Sequence, residues 1–275
     1  MEGSLMLYWL VAYIALSMRY VIFAGLAYGV FYSWKRRAWL YKKIQQKYPE
    51  KKRVLYELRY SFSSLAIFAT LAIGIRLATD AGLTKVYKDF GEYGWGYFIF
   101  SVVAFILIHD TYFYWTHRLM HHPKLFKHVH KVHHMSHNPT PWAAFSFHPI
   151  EALIEFGIIP VVVFLFPLHP IAIFIFAIYM VTLNVLGHLG FEVFPRGFTQ
   201  HKLFGLHNTS THHNMHHKYV NCNYGLYFNI WDRLMRTNHA KYNSTFEEVV
   251  GRPKPKEQLT ALAQQEEGDV SLHGM

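Results

Sequence analysis

The chain has 275 residues, of which 52% are hydrophobic, 18% aromatic and only 16% charged, a composition that excludes disorder, collagen-like repeats and an ordinary water-exposed surface. Its single cysteine, Cys222, excludes a disulfide framework and any thiolate-held zinc or iron–sulfur cluster. The formal net charge is +10, and of 20 histidines none precedes His109 while 18 lie between His109 and His217.

The first apolar run, Leu7 to Tyr32, carries one charge, Arg19, and exceeds the roughly 20 residues that cross a bilayer core. Its length, Glu2 in place of a basic leader and the lack of a small-residue cleavage site argue for an anchor rather than a secretory signal. Next, Lys35 to Arg53 holds nine of the 27 basic residues against one acid, Glu50, which marks that side as cytoplasmic. A second span is expected over about Tyr60 to Ala78 and a third from Trp95 through Ser101–Ile108. Two further runs, Ile150 to Phe166 and Ile171 to Gly187, are separated by Pro167-Leu168-His169-Pro170 and predict a helical hairpin.

Counting crossings puts the 79–94 loop outside and both 116–149 and the chain after His188 inside. That arrangement puts 22 of the 27 basic residues on the cytoplasmic side. The positive charge is therefore accounted for by membrane topology and needs no nucleic acid partner. The expected class is all-α: a multi-pass transmembrane bundle with a cytoplasmic helical cap. Its expected parts are membrane spans and basic loop over 1–94, a catalytic unit over 95–245 and a loose cytoplasmic tail over 246–275, polar after Glu247.

The third helix is expected to run on into the cytoplasm as HDTYFYWTHRLMHH. At 100° per residue Asp110, Tyr114, His117 and His121 share a face, so His117 and His121 can hold one metal while Asp110 accepts the second ring N–H of a ligand. His109 and His122 point elsewhere. His130, His133 and His134 follow at i, i+3 and i+4, and the same spacing returns at His213, His216 and His217. His137 would extend the second group, but Asn138-Pro139 forces the chain out of helix there. His188, at the end of the hairpin, emerges on the same side; His212 lies i−4 to His216, and His148 reads as structural or as a neighbour of a ligand.

Nine imidazoles exceed what one ion can bind, so His117, His121, His130, His133, His134, His188, His213, His216 and His217 predict two metals close together. Imidazole suits zinc, copper, iron or nickel alike. A histidine-rich proton buffer would explain the composition but not the two matching triplets. A metal transporter would carry ligands within its spans, whereas these cluster beyond the helix ends. A zinc hydrolase of membrane lipids is a further alternative, although no His-Glu-x-x-His motif supplies its general base. Oxidation of a lipid fits better, because two irons can share the electrons that split dioxygen.

Tyr114-Trp115-Thr116-His117-Arg118-Leu119-Met120-His121-His122, His130-Lys131-Val132-His133-His134 and His212-His213-Asn214-Met215-His216-His217 resemble the three histidine boxes of the sterol desaturase and fatty acid hydroxylase superfamily. Asn138-Pro139-Thr140-Pro141, Phe147-His148-Pro149-Ile150-Glu151-Ala152, Asn223-Tyr224-Gly225 and Trp231-Asp232-Arg233 extend the resemblance over about 109–237, closest in look to sterol C-5 desaturases. It implies two iron ions, replaceable by zinc in purified material, dioxygen as co-substrate and a membrane lipid as substrate. No His-Pro-Gly-Gly haem motif and no Gly-x-Gly-x-x-Gly fold occurs, so the reductant is expected to be a separate protein, cytochrome b5-like or a ferredoxin with its reductase.

Overall fold

The computed structural model describes residues 2–34 and 36–254. Helix α1, Glu2–Tyr28, continues without interruption into a π-helical turn, Gly29–Trp34. Helix α2, Lys51–Asp80, and helix α3, Phe90–Met120, follow as the second and third long apolar helices. Asp89 caps α3 by accepting from Gly91 N at 2.8 Å, and Gly94 at φ 73° puts a kink in its first turns. Helix α8, Pro170–Gly187, starts with His169 as its cap and proline at its first position. These four are long and apolar enough to cross a membrane. Leu10, Ile14, Met18 and Leu26 of α1, Ile99, Val103 and Leu107 of α3, and Ile171, Phe174 and Ile175 of α8 all face outward. Such apolar surface is stable only against lipid or another protein.

The expected hairpin is present, but its first arm is not a single helix. Helices α6, Pro149–Phe156, and α7, Ile158–Leu165, meet at Gly157. There the Tyr112 hydroxyl donates to Ile154 O at 2.7 Å, and a Cβ on residue 157 would lie 2.7 Å from that hydroxyl. The hairpin turn pairs with the loop between α2 and α3: Val86 bridges Leu168, Lys85 N donates to Val163 O at 2.8 Å and Tyr87 N to Leu168 O at 3.1 Å. Those two connections therefore share one end of the bundle.

The opposite end is a helical cap. Short helices α4, Pro123–Val129, and α5, Lys131–His134, follow α3; α9, Ser210–Tyr219, α10, Ile230–Leu234, and α11, Tyr242–Val250, follow α8. The basic connection between α1 and α2 is stitched to this end, with Lys43 bridging Phe191, Ile44 N donating to Gly190 O and Glu192 N to Lys42 O. Tyr20, Leu65, Phe68, Phe145, Phe147 and Val185 form a core where the spans meet the cap. Order persists past Glu247, because Phe246 and Val249 of α11 are buried. The remainder of the expected tail, residues 255–275, lies outside the described residues.

Candidate metal centre

The end of α3 delivers His117 and, as the residue that caps it, His121. The helix stops at Met120, two residues short of the stretch expected from sequence. The second box is not one helix either: His130 sits between α4 and α5, at φ −113°. The two matching triplets each divide, because residues i and i+4 of a helix stay on one side while the residue between them is turned away. His117, His121, His130, His134 and His216 converge in one group, and His133, His188, His213 and His217 in another, with the ligand-type nitrogens of each group within 4.8 Å of one another. All nine rings are buried. Each triplet thus spans both groups.

Ring orientation can be read from the outer nitrogens. Nδ1 of His117 lies 2.8 Å from Tyr224 O, that of His216 2.6 Å from Cys222 O, and that of His188 2.8 Å from Asn184 O. A carbonyl only accepts, so each Nδ1 holds the proton and each Nε2 presents a bare lone pair inward. His130 Nδ1 is oriented in the same way by Glu151 Oε1 at 2.7 Å. Yet His117 Nε2 and His130 Nε2 are 3.0 Å apart, His134 and His216 3.0 Å, and His213 and His188 3.0 Å. Lone pairs at this separation with no proton between His117 and His130 repel unless a cation lies among them. The purely imidazole donor set fits divalent transition ions. Burial, reinforced by the charge that neighbouring imidazoles would carry, also pushes His130, His133, His134, His213, His216 and His217 well below the usual imidazole range, which keeps them neutral and ready to ligate.

A loop after α9 holds the carbonyls in place. Asp232 accepts from Tyr224 N at 2.9 Å, Gly225 N at 2.7 Å and Thr237 Oγ1 at 2.6 Å. Burial alone would raise its carboxyl, but hydrogen bonds from His212, Thr237 and Gly225 hold it down at about 2. Tyr114 reaches the same loop through Thr237 at 3.0 Å, and Arg118 donates to the Tyr114 hydroxyl, so both tie the first box to that loop. Glu192, fully buried, accepts from Thr211 N and Thr211 Oγ1 and anchors the start of α9.

The other candidates take places outside the two groups. Asp110 accepts from Tyr227 N and Phe228 N, not from a histidine, because its face of α3 meets the loop after the third box. His122 is exposed and caps α4 by accepting from Lys124 N; His148 caps α6 by accepting from Ile150 N. His212 is buried outside both groups, with Nε2 3.1 Å from Asn238 Oδ1 and 3.5 Å from Asp232. His109 and Arg19 line a cavity instead. The carbonyls of Tyr224, Cys222 and Asn184 escaped sequence reasoning entirely, since every residue carries one. Glu151 had a readable signal, as one of the few acids among the histidines.

That cavity, of about 200 Å³, lies between the spans and is lined mainly by apolar groups such as Phe68, Ile159 and Phe176. Phe113, Phe147, Glu155 and Asn184 line both it and a smaller hollow bounded by His117, His130, His133, His188 and His213. An apolar chamber inside the membrane region therefore shares a wall with both histidine groups.

The sequence pattern of the fatty acid hydroxylase family matches residues 102–237. The chain is 32% identical over 212 residues to lathosterol oxidase of Rattus norvegicus, an alignment covering 76% of this chain and 69% of that protein. It is also 32% identical over 221 residues to a Delta(7)-sterol 5(6)-desaturase of Gibberella zeae, covering 80% and 65%. This chain belongs to the fatty acid hydroxylase family. Human lathosterol oxidase is similarly 32% identical over 192 residues, covering 62% of its length, so the chain spans about two thirds of the family relatives it matches. No solved structure matches it. With four apolar helices of spanning length and this kinship, the family member described here is an integral membrane protein.

Proposed function

We propose that the chain is a membrane-bound oxidoreductase that uses dioxygen to desaturate or hydroxylate a sterol or related membrane lipid, with two irons held by the nine histidines. His117, His121, His130, His134 and His216 hold one iron and His133, His188, His213 and His217 the other. The observation that carries this reading is the pair of imidazole groups, rings turned by fixed Nδ1 partners, sharing a wall with an apolar intramembrane cavity. The irons, when bound, supply the activation of dioxygen needed to take hydrogen from an unactivated C–H bond.

The protein's own residues do the rest. Glu151 accepts a hydrogen bond from His130 Nδ1–H, and the carbonyls of Tyr224, Cys222 and Asn184 fix three other rings. Phe113 and Phe147 exclude water and hold the lipid's reacting carbons beside the histidines. The catalytic unit corresponds to 95–245, and the cap faces the cytoplasm, as the basic connection stitched beside His188 supports. Electrons come from a separate donor protein.

Metal analysis of the detergent-purified protein, with oxygen uptake after adding dithionite and a membrane-lipid extract, tests this. About two irons per chain and oxygen uptake that requires lipid are expected. Tightly held zinc that iron reconstitution cannot replace, with lipid hydrolysis and no oxygen uptake, would overturn it.

A further inference from the structure

Helix α9 has a second face. At 100° per residue His213, His216 and His217 share one side, and Asn214, Met215 and Lys218 lie on the other. That other side floors a polar cleft of about 330 Å³, walled by Gln45, Gln46 and Lys47 from the α1–α2 connection and by Tyr219. Asn214 is 1% exposed; its Oδ1 accepts from Gln45 Nε2 at 2.9 Å, while its Nδ2 has no hydrogen-bond partner. A buried amide donor without a partner is costly, so this one suits an acceptor that arrives from outside. Lys47 and Lys218 are exposed at the cleft, no acid lines it, and among the described residues neither lysine is in a salt bridge.

We propose that this cleft is the seat of the electron donor, a small acidic one-electron carrier protein, one carboxylate of which accepts from Asn214 Nδ2 while Lys47 and Lys218 pair with its neighbours. The position suits electron entry to both metals. Asn214 and Met215 directly join His213, in one group, to His216, in the other, so one seat lies beside a ligand of each. Each docked carrier is oxidised by one electron. In a desaturation, two such electrons, two protons from water and the two hydrogens taken from the lipid reduce one dioxygen to two waters. This inference rests on the oxidoreductase reading above, and its test separates the two.

Full-length protein in lipid nanodiscs is first driven by dithionite; lipid-dependent oxygen uptake then establishes the reaction without any carrier. The soluble haem domain of a cytochrome b5 and a plant-type ferredoxin, both acidic, are supplied next, and the one sustaining turnover is titrated. The double variant Lys47→Glu, Lys218→Glu is expected to raise KM for the carrier about tenfold at low salt, to lessen its salt dependence and to leave kcat at saturating carrier close to wild type. Lys88→Glu, at the opposite end of the bundle, is expected to leave KM unchanged. An unchanged KM in the double variant, an equal shift in Lys88→Glu, or failure of both carriers while dithionite works would overturn the seat. Silence with dithionite would instead overturn the reaction itself.

Discussion

Glu151 Oε1 lies 2.7 Å from His130 Nδ1, and both residues are at most 2% exposed. Burial pushes the Glu151 carboxyl well above the usual carboxylate range, and its place in the first turn of α6, where the helix N-terminus favours negative charge, works the other way. Removing such a partner of a metal-bound histidine costs about 10–100-fold in metal affinity. Glu151→Ala is expected to lose that much, read by competition against a graded chelator, whereas Glu151→Gln keeps an acceptor oxygen for the ring and loses less. Equal affinities in all three proteins would contradict the role of Glu151.

The division of the histidines into two groups predicts graded metal loss. His117→Ala and His188→Ala remove one ring each from different groups. Each is expected to cut bound metal roughly in half and lower turnover by at least about a hundredfold, with the chain still inserted. Elemental analysis of purified variants decides this. A single substitution that strips all metal would indicate one shared site.

Acid should release the metal. In the fold, burial and then neighbouring imidazole charge hold six of these rings below the ordinary value of about 6.5. A depressed folded pKa means the unfolded chain binds more protons as pH falls. The contribution to stability is present above about pH 6.5 and is lost below it, and metal affinity falls in the same direction. Dialysis at about pH 7.5 is expected to leave metal in place and at about pH 5 to remove it, with a lower melting temperature. A flat profile across this window would count against the assignment.

Gly225 tests the loop that aims His117. A Cβ there would run into the Phe228 carbonyl and lie 2.9 Å from Asp232 Oδ2. Gly225→Ala must push Tyr224 O away from the His117 ring, and is expected to destabilise by about 1–3 kcal/mol and to weaken metal retention. Thermal shift and metal content measured together check this; loss of stability with metal affinity intact would show that the Tyr224 carbonyl does not orient the ring.

Much of the fold was legible because membrane spans depend on length and apolarity alone. The runs that became α1, α2, α3 and α8 needed no knowledge of their neighbours. The broken arm at Gly157 was not legible, since its cause is the Tyr112 hydroxyl arriving from another helix. Asp110 was placed on the correct face of α3, but the group awaiting it there was the Tyr227–Phe228 backbone, 117 residues away in sequence for the nearer bond.

For the site, chain spacing alone determined that nine imidazoles gather at one end of the bundle, because i, i+3 and i+4 share a helix face and the proline turn returns His188 to that end. Only the tertiary structure decided how they divide. His133 and His134 are adjacent in sequence, yet they join different groups, because neighbours on a helix point about 100° apart and the approach of α8 and α9 sets which rings each one meets. It also decided which nitrogen of His117, His188 and His216 faces inward, since that depends on a carbonyl brought to the outer nitrogen by packing, and no side-chain pattern records where a carbonyl will lie.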